Sequence, residues 1–208
     1  MNYRQSNSEP LPLALPASHV DSRPSGTGLN LADAAMLAFN YHLHDVHRQA
    51  PSVDKVQIAD LVQWLEALPS ETAEATINLR LARAESLRRM LDDPDWTLPA
   101  NVVARGRKLL AYLRTLDDLI PDDVPVIGHL DDALMIELSW EEFAGEVQDY
   151  LDFRRFCTEC SVRGDASERR TAWESECLAR ASEYLHRQAV RERGYARQEP
   201  YSQPFRVY

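Results

Sequence analysis

The sequence predicts an all-α protein, a helical bundle of about seven helices with flexible N- and C-terminal tails. Leucine and alanine, which favour helices, number 26 and 24 among the 208 residues, whereas valine and isoleucine, which favour strands, number 13 and 5. Glycine, which serves tight turns, occurs only 7 times. With 44% hydrophobic and 27% charged residues, the composition excludes collagen-like, disulfide-framework and wholly disordered classes.

Three helices are predicted in an N-terminal helical region, residues 29–100, which follows a disordered, proline-rich arm over residues 1–28. The first begins with Asn30 as its N-cap, the second begins after Ser52, and the third is capped by Ser70 and ends at the break over residues 92–95. Each carries apolar residues at three- and four-residue spacing on one face, so each should bury that face. The residues predicted to be buried are Met36, Phe39, Leu43 and Val46, then Ile58, Leu61, Val62, Leu65 and Leu68, then Ile77, Leu81, Ala84, Leu87 and Leu91.

A second region, residues 101–195, is predicted to contain the remaining helices, and residues 196–208 a tail. A helix over residues 102–116 has Gly106 at a close helix crossing, and a short helix follows around residues 134–138. Residues 139–142 read as a capping box that starts a helix running to about Cys160. Asp165 with Glu168 caps the last helix, which ends near Gly194. Its inward residues are predicted to be Trp173, Cys177, Ala181 and Tyr184.

The net charge of -10 is concentrated in one block of the chain. Residues 117–152 hold 12 carboxylates and no lysine or arginine, so the other residues sum to +2. Either the block pairs internally with arginines of neighbouring helices, or it attracts a cationic partner or a metal ion. Carboxylates repel phosphate groups, so no nucleic-acid partner is expected there.

The least generic stretch lies within this block. Residues 118–132 read DLIPDDVPVIGHLDD and match Asp-x-Ile-Pro-Asp-x-x-Pro-x-x-Gly-x-x-Asp-Asp at every fixed position. This pattern resembles the signature of the YkvA-like family, a bacterial domain of unknown function, and the resemblance covers about residues 105–156. It implies a helix-loop-helix module but no reaction, because the family has no agreed activity. Asp117 and Asp123 stand where the family usually has apolar residues, which makes this version more acidic.

The predicted function is that of a non-enzymatic interaction or regulatory protein. Its acidic helix-loop-helix corner is expected to contact a basic or membrane-associated protein partner. The predicted partner-binding residues are Asp122, Asp123, His129, Asp131 and Asp132. The alternative is a protein, with hydrolases included, that binds Mg²⁺, Mn²⁺, Ca²⁺ or Zn²⁺. Its predicted ligands are Asp118, Asp122, Asp131 and Asp132. A third, purely structural interpretation is that the aspartates shape the loop and complement the dipole of the next helix.

Other motifs predict no further site. The three histidines at positions 42, 44 and 47 are interpreted as solvated side chains, and Cys157, Cys160 and Cys177 as reduced thiols of a cytoplasmic protein. No glycine-rich phosphate loop, nucleophile elbow or dinucleotide fingerprint occurs, so no cofactor and no enzyme of those classes is expected. No apolar run is long enough for a transmembrane segment, although peripheral membrane association stays open. The sequence does not predict an oligomeric state.

Overall fold

The computed structural model describes residues 10–13, 31–115, 119–120, 124 and 127–192, and within these ranges there is no β-strand. The predicted all-α fold is confirmed, with seven α-helices and one 3₁₀ turn in the described residues. These are α1 (Asp33–Val46), α2 (Lys55–Glu66), α3 (Ser70–Asp92), α4 (Ala100–Tyr112), α5 (Leu130–Ser139), the 3₁₀ turn (Trp140–Glu142), α6 (Ala144–Glu159) and α7 (Ala166–Glu192). The chain divides into two compact units, Met1–Tyr150 and Leu151–Tyr208. The division into four predicted segments, 1–28, 29–100, 101–195 and 196–208, stays a prediction.

The first two helices of the first unit bury the residues that their spacing predicts, except Leu68, which lies beyond the end of α2 and is only partly buried. In α1 and α2 the buried residues are Met36, Phe39, Leu43 and Val46, and Ile58, Leu61, Val62 and Leu65. A capping box between Asp54 and Gln57 fixes the start of α2. The first helix begins two residues later than predicted, with Ala32 rather than Asn30 at the N-cap position, and Asn30 lies outside the described residues.

Helix α3 lies against α2, α4 and α5, and its buried face differs from the predicted one. The residues that it buries are Ala73, Ile77, Arg80, Ala84, Leu87 and Met90. Arg80 and Met90 take the places predicted for their neighbours Leu81 and Leu91, which are partly exposed. The apolar pattern does not predict burial at position 80, because the residue there is charged. Arg80 is nevertheless buried, with 1% of its surface exposed.

Between α4 and α6 the structure corrects two predictions. Helix α4 ends at Tyr112, four residues earlier than predicted. Residues 139–142 do not form a capping box, because Ser139 is the last residue of α5 and its hydroxyl donates to the Met135 carbonyl at 2.7 Å. The turn over residues 140–142 follows, and α6 begins only at Ala144.

The N-terminal stretch over residues 10–13 contributes to the core of the first unit. Leu11 is 4% exposed, and its carbonyl accepts a hydrogen bond from the Leu13 amide at 2.7 Å. The rest of the predicted arm, residues 1–9 and 14–28, lies outside the described residues. A proline-rich segment thus supplies at least one apolar side chain to the folded body.

The second unit contains the end of α6 and all of α7. The predicted cap of α7 is confirmed, because the amides of Asp165 and Glu168 each donate to the other's carboxylate at 2.9 Å. Trp173 packs edge-on against Phe153, with 6.0 Å between ring centroids, and is buried as predicted. The prediction that Ala181 and Tyr184 point inward is wrong, since both are exposed.

Candidate functional site

The predicted site residues fall into two groups. Asp118, Asp122 and Asp123 lie outside the described residues. His129, Asp131 and Asp132 lie at the start of α5, where an acidic side chain interacts favourably with the helix dipole. The structure therefore describes half of the predicted corner.

Asp131 is a buried residue that stabilises the corner through a hydrogen bond. Its side chain is 1% exposed, and its carboxylate accepts a hydrogen bond from the Leu119 amide at 2.8 Å. Leu119 and Ile120 are themselves buried. This hydrogen bond connects the loop to α5 across twelve residues. Asp131 therefore shapes the loop, as the structural interpretation of the aspartates predicts. In this conformation the carboxylate is not accessible to a partner protein.

His129 and Asp132 form a local pair at the same helix end. Nδ1 of His129 lies 3.6 Å from a carboxylate oxygen of Asp132, three residues along the chain. The imidazole is half exposed, whereas most of the Asp132 side chain is buried. Of the described corner residues, His129 thus presents the largest part of its side chain to solvent.

A second carboxylate of the acidic block, that of Glu137 on α5, is paired inside the first unit. One oxygen of Glu137 lies 3.2 Å from Nε of Arg80 and 2.7 Å from a guanidinium nitrogen of Arg83, both on α3. Arg80 also donates to the Thr76 carbonyl, and Arg83 lies over the Trp140 ring, 5.5 Å from its centroid. Burial lowers the pKa of Arg80, and the neighbouring Glu137 carboxylate opposes that shift. The cluster of Arg80, Arg83 and Glu137 therefore stabilises the packing of α3 on α5.

Glu142, at the end of the 3₁₀ turn, makes a similar contact to α4 and to the end of α1. One of its oxygens lies 2.6 Å from Arg105, and the other lies 3.6 Å from Nε2 of His47. Nδ1 of His47 lies 2.9 Å from the Leu138 carbonyl. Part of the acidic block therefore pairs internally, as one of the two interpretations of its charge predicts.

Three other carboxylates of the block stay outside these clusters. Glu141 and Asp149 are exposed, Glu146 is partly exposed, and none of the three makes an ion pair with a residue that the structure describes. We call these three residues the acidic edge. Sequence reasoning missed them as site residues. No local signal distinguishes them, because Glu137 and Glu142, which are paired, also have no basic residue three or four positions away.

The histidines and cysteines do not converge on one another. His44 contacts the Ala50 carbonyl at 3.1 Å, whereas His47 belongs to the Glu142 cluster. The three cysteines are free thiols, partly or fully exposed. Across the described part of the chain, no three His, Cys, Asp or Glu residues are grouped so that they could hold a metal ion. The metal alternative stays a prediction, because Asp118 and Asp122 lie outside that part.

Within the described ranges, none of the helices combines the length and the apolar character needed to cross a bilayer. The YkvA-like resemblance of residues 118–132 remains a prediction. Comparison with models of protein families, with curated proteins and with solved structures finds no match to this chain.

Proposed function

We propose that this chain is a non-enzymatic interaction or regulatory protein of the YkvA-like type, and that it binds a basic segment of a partner protein. The binding surface is the acidic edge, Glu141, Glu146 and Asp149, together with the residues of the preceding corner other than the buried Asp131. The observation that carries the proposal is the contrast between this edge and the paired carboxylates of the same block.

The contrast lies in charge compensation. Within the block, Glu137 pairs with Arg80 and Arg83, and Glu142 pairs with Arg105, all on other helices. In the rest of the chain, acidic side chains also pair with neighbours on their own helix. On α3, Arg88 and Arg89 contact Glu85 and lower its pKa to about 2, and on α7 Glu176 pairs with Arg180 four residues on. The acidic edge has no such neighbour. Glu146 and Asp149 are three residues apart on α6, where like charges repel each other. A cation supplied by a partner would relieve that repulsion.

The position of the edge in the sequence favours it over other acidic surfaces. Glu66, Glu71 and Glu74, at the turn from α2 to α3, are also exposed carboxylates. That group stands by itself, whereas the acidic edge continues the block that begins with Asp117, Asp118, Asp122 and Asp123. A surface of one sign accelerates association with a partner of the opposite sign, and salt weakens the effect.

Binding of a labelled peptide rich in lysine and arginine tests the proposal. Fluorescence anisotropy should show binding that weakens as salt rises from about 0.05 M to 0.5 M. The triple variant E141Q/E146Q/D149N should bind at least about tenfold more weakly, a loss of about 1.4 kcal/mol. The matched control is E66Q/E71Q/E74Q, which removes the same number of charges and should bind like the unmodified chain.

Two outcomes would overturn the proposal. If both triple variants lose affinity equally, the peptide responds only to net charge. If the acidic-edge variant binds as well as the unmodified chain, the edge is not the binding surface. The same pair of variants serves in affinity purification, where a natural partner should be captured by the control variant and lost with the acidic-edge variant.

A further inference from the structure

Helix α1 has a second apolar face that the core of the first unit does not use. Leu37 and Tyr41 are 73% and 70% exposed, and Ala34 and Ala38 beside them are also exposed. These four residues follow the i, i+3, i+4, i+7 spacing of one helix face, opposite the buried stripe of Met36, Phe39, Leu43 and Val46. We call Ala34, Leu37, Ala38 and Tyr41 the outer face of α1.

Among the residues that the structure describes, contacts on both sides of α1 leave the outer face uncovered. On the side toward α2, Asp33 pairs with Lys55 at 2.7 Å and the Asn40 side chain makes two hydrogen bonds of 2.8 Å to the Val53 backbone. On the side toward α4, the ring of His42 contacts that of Tyr112 and Lys108 pairs with Asp45. The outer face lies between these two sets of contacts.

The charge pattern along α1 suits a second copy of the same helix. No residue from Ala34 to Leu43 is an acid, lysine or arginine, and the face is bounded by Asp33 at one end and Asp45 at the other. Each aspartate already has a lysine beside it, Lys55 or Lys108. Two antiparallel copies would therefore place a lysine-aspartate pair of one copy beside a lysine-aspartate pair of the other, without an excess of either sign.

The outer face is also self-complementary in shape. A twofold axis level with residue 39 places Leu37 of each copy opposite Tyr41 of the other, and the Asp33 end opposite the Asp45 end. The small side chain of Ala38 lies beside the axis, where it lets the helices approach closely. An interface of this kind uses the same patch on both copies and closes at two subunits.

We propose that the outer face of α1 binds a second copy of this chain, with the two α1 helices antiparallel about Ala38. Two leucines, two tyrosines and four alanines make a small interface, below the roughly 1,200 Å² of standard-sized complexes. The dimer is therefore weak and reversible, with a dissociation constant of about 10 μM to 1 mM. This proposal is independent of the acidic edge.

Sedimentation equilibrium over about 5 μM to 1 mM chain gives the first test. The full chain should show a reversible monomer-dimer equilibrium, and L37E should weaken it at least tenfold by placing a carboxylate in the interface. The matched control is L79E, which alters a 41% exposed leucine on α3 and should leave the equilibrium unchanged. Circular dichroism melting would establish that both variants keep the fold.

Disulfide trapping gives the orientation. In a background with Cys157, Cys160 and Cys177 changed to Ser, oxidised A38C should form a covalent dimer. A34C should not, because antiparallel pairing about residue 39 separates the two copies of position 34 by about ten residues, or about 15 Å along the helix. In a parallel pair both variants would be trapped.

The proposal fails if the chain stays monomeric up to about 1 mM, because the face is then covered by another segment of the chain or reserved for a different protein. It also fails if L79E weakens association as much as L37E, or if A34C is trapped as readily as A38C.

Discussion

Arg80 shows how a single residue decides the packing of α3 on α5. Arg80 is 1% exposed, so its guanidinium loses its hydration, and its hydrogen bonds to Glu137 and to the Thr76 carbonyl offset that cost. Arg83 supports the same carboxylate from a partly exposed position. The cluster therefore favours one alignment of the two helices, because other alignments would leave a charge buried without its partner.

Removing Glu137 should destabilise the protein more than removing Arg80. In E137A the buried Arg80 loses its carboxylate, and we expect the free energy of unfolding in urea to fall by about 3–5 kcal/mol. In R80M the Glu137 carboxylate keeps Arg83, so a loss of about 1–2 kcal/mol is expected. The double variant R80M/E137M should recover most of the loss, because two apolar side chains replace the buried pair. A double variant that loses the sum of both effects would contradict this account.

This cluster also marks a limit of sequence-based prediction. The acidic block is visible in the composition, and one interpretation of it is internal pairing. The partners, however, are 57 and 54 residues apart in the chain, for Arg80 and Arg83 with Glu137. Only the tertiary fold brings them together, so the sequence could not separate Glu137, which is paired, from Glu141, which makes no ion pair among the described residues.

Among the helices, α4 shows how a glycine permits a close crossing. A Cβ atom at Gly106 would lie 2.8 Å from Cδ1 of Leu91 and 3.5 Å from Cδ1 of Leu87, both on α3. The crossing predicted from the sequence is confirmed. Leu91 is partly exposed and has room to turn away, whereas Leu87 is fully buried and does not.

Substitutions of different size at Gly106 should distinguish the effect of the Leu91 contact from that of the Leu87 contact. In G106A the gain in helix propensity, about 1 kcal/mol, offsets the displacement of Leu91, so the free energy of unfolding should stay within about 1 kcal/mol of that of the unmodified chain. G106L must also displace Leu87 and should lose about 1–3 kcal/mol.

The control for the Gly106 series is G145A in α6, where a Cβ would meet no atom within 4 Å. Because only the backbone preference changes there, it should be neutral or stabilising by up to about 1 kcal/mol. Equal effects of G106A and G106L would show that Leu87 does not limit the crossing.

The helices differ in how well their ends follow from the sequence. The Asp165 and Glu168 cap of α7 was predictable because both members of the capping box are local. The same pattern at Ser139 led to a wrong prediction of a capping box, because the Ser139 hydroxyl already donates a hydrogen bond within the last turn of α5. Local patterns identify a possible cap, and the length of the preceding helix decides whether the cap is used.

At the scale of the whole molecule, the N-terminal segment should contribute to stability. Leu11 is buried but lies on a short segment that precedes the helices, so its contribution cannot exceed the free energy of docking that segment. We expect L11A to lower the free energy of unfolding by about 1–2 kcal/mol, less than a leucine deep in the core.

Deletion of residues 1–13 should cost the same as L11A, and P10A, at an exposed position, should cost nothing measurable. Urea unfolding of the three variants measures these values. If the deletion leaves the midpoint unchanged, the burial of Leu11 does not stabilise the folded chain.

The fold class and most buried faces of the first unit could be predicted from helical periodicity, because a stripe such as Ile58 to Leu65 is a local property. The exposed surfaces could not. Tyr184 carries the same pattern as a buried residue but is exposed, and Leu37 belongs to a second stripe that periodicity alone cannot assign to core or surface.

The Arg80 and Glu137 pair has a consequence for how this sequence can change over time. Loss of Glu137 alone leaves the buried Arg80 without its carboxylate, and loss of Arg80 alone leaves Glu137 with Arg83, whereas an exchange of both Arg80 and Glu137 for apolar side chains should be tolerated. Lineages that carry this fold should therefore keep both residues or lose both, so the two positions should co-vary in an alignment of relatives. Sequences with only one of the pair should be rare, and those that exist should carry a compensating change near position 83.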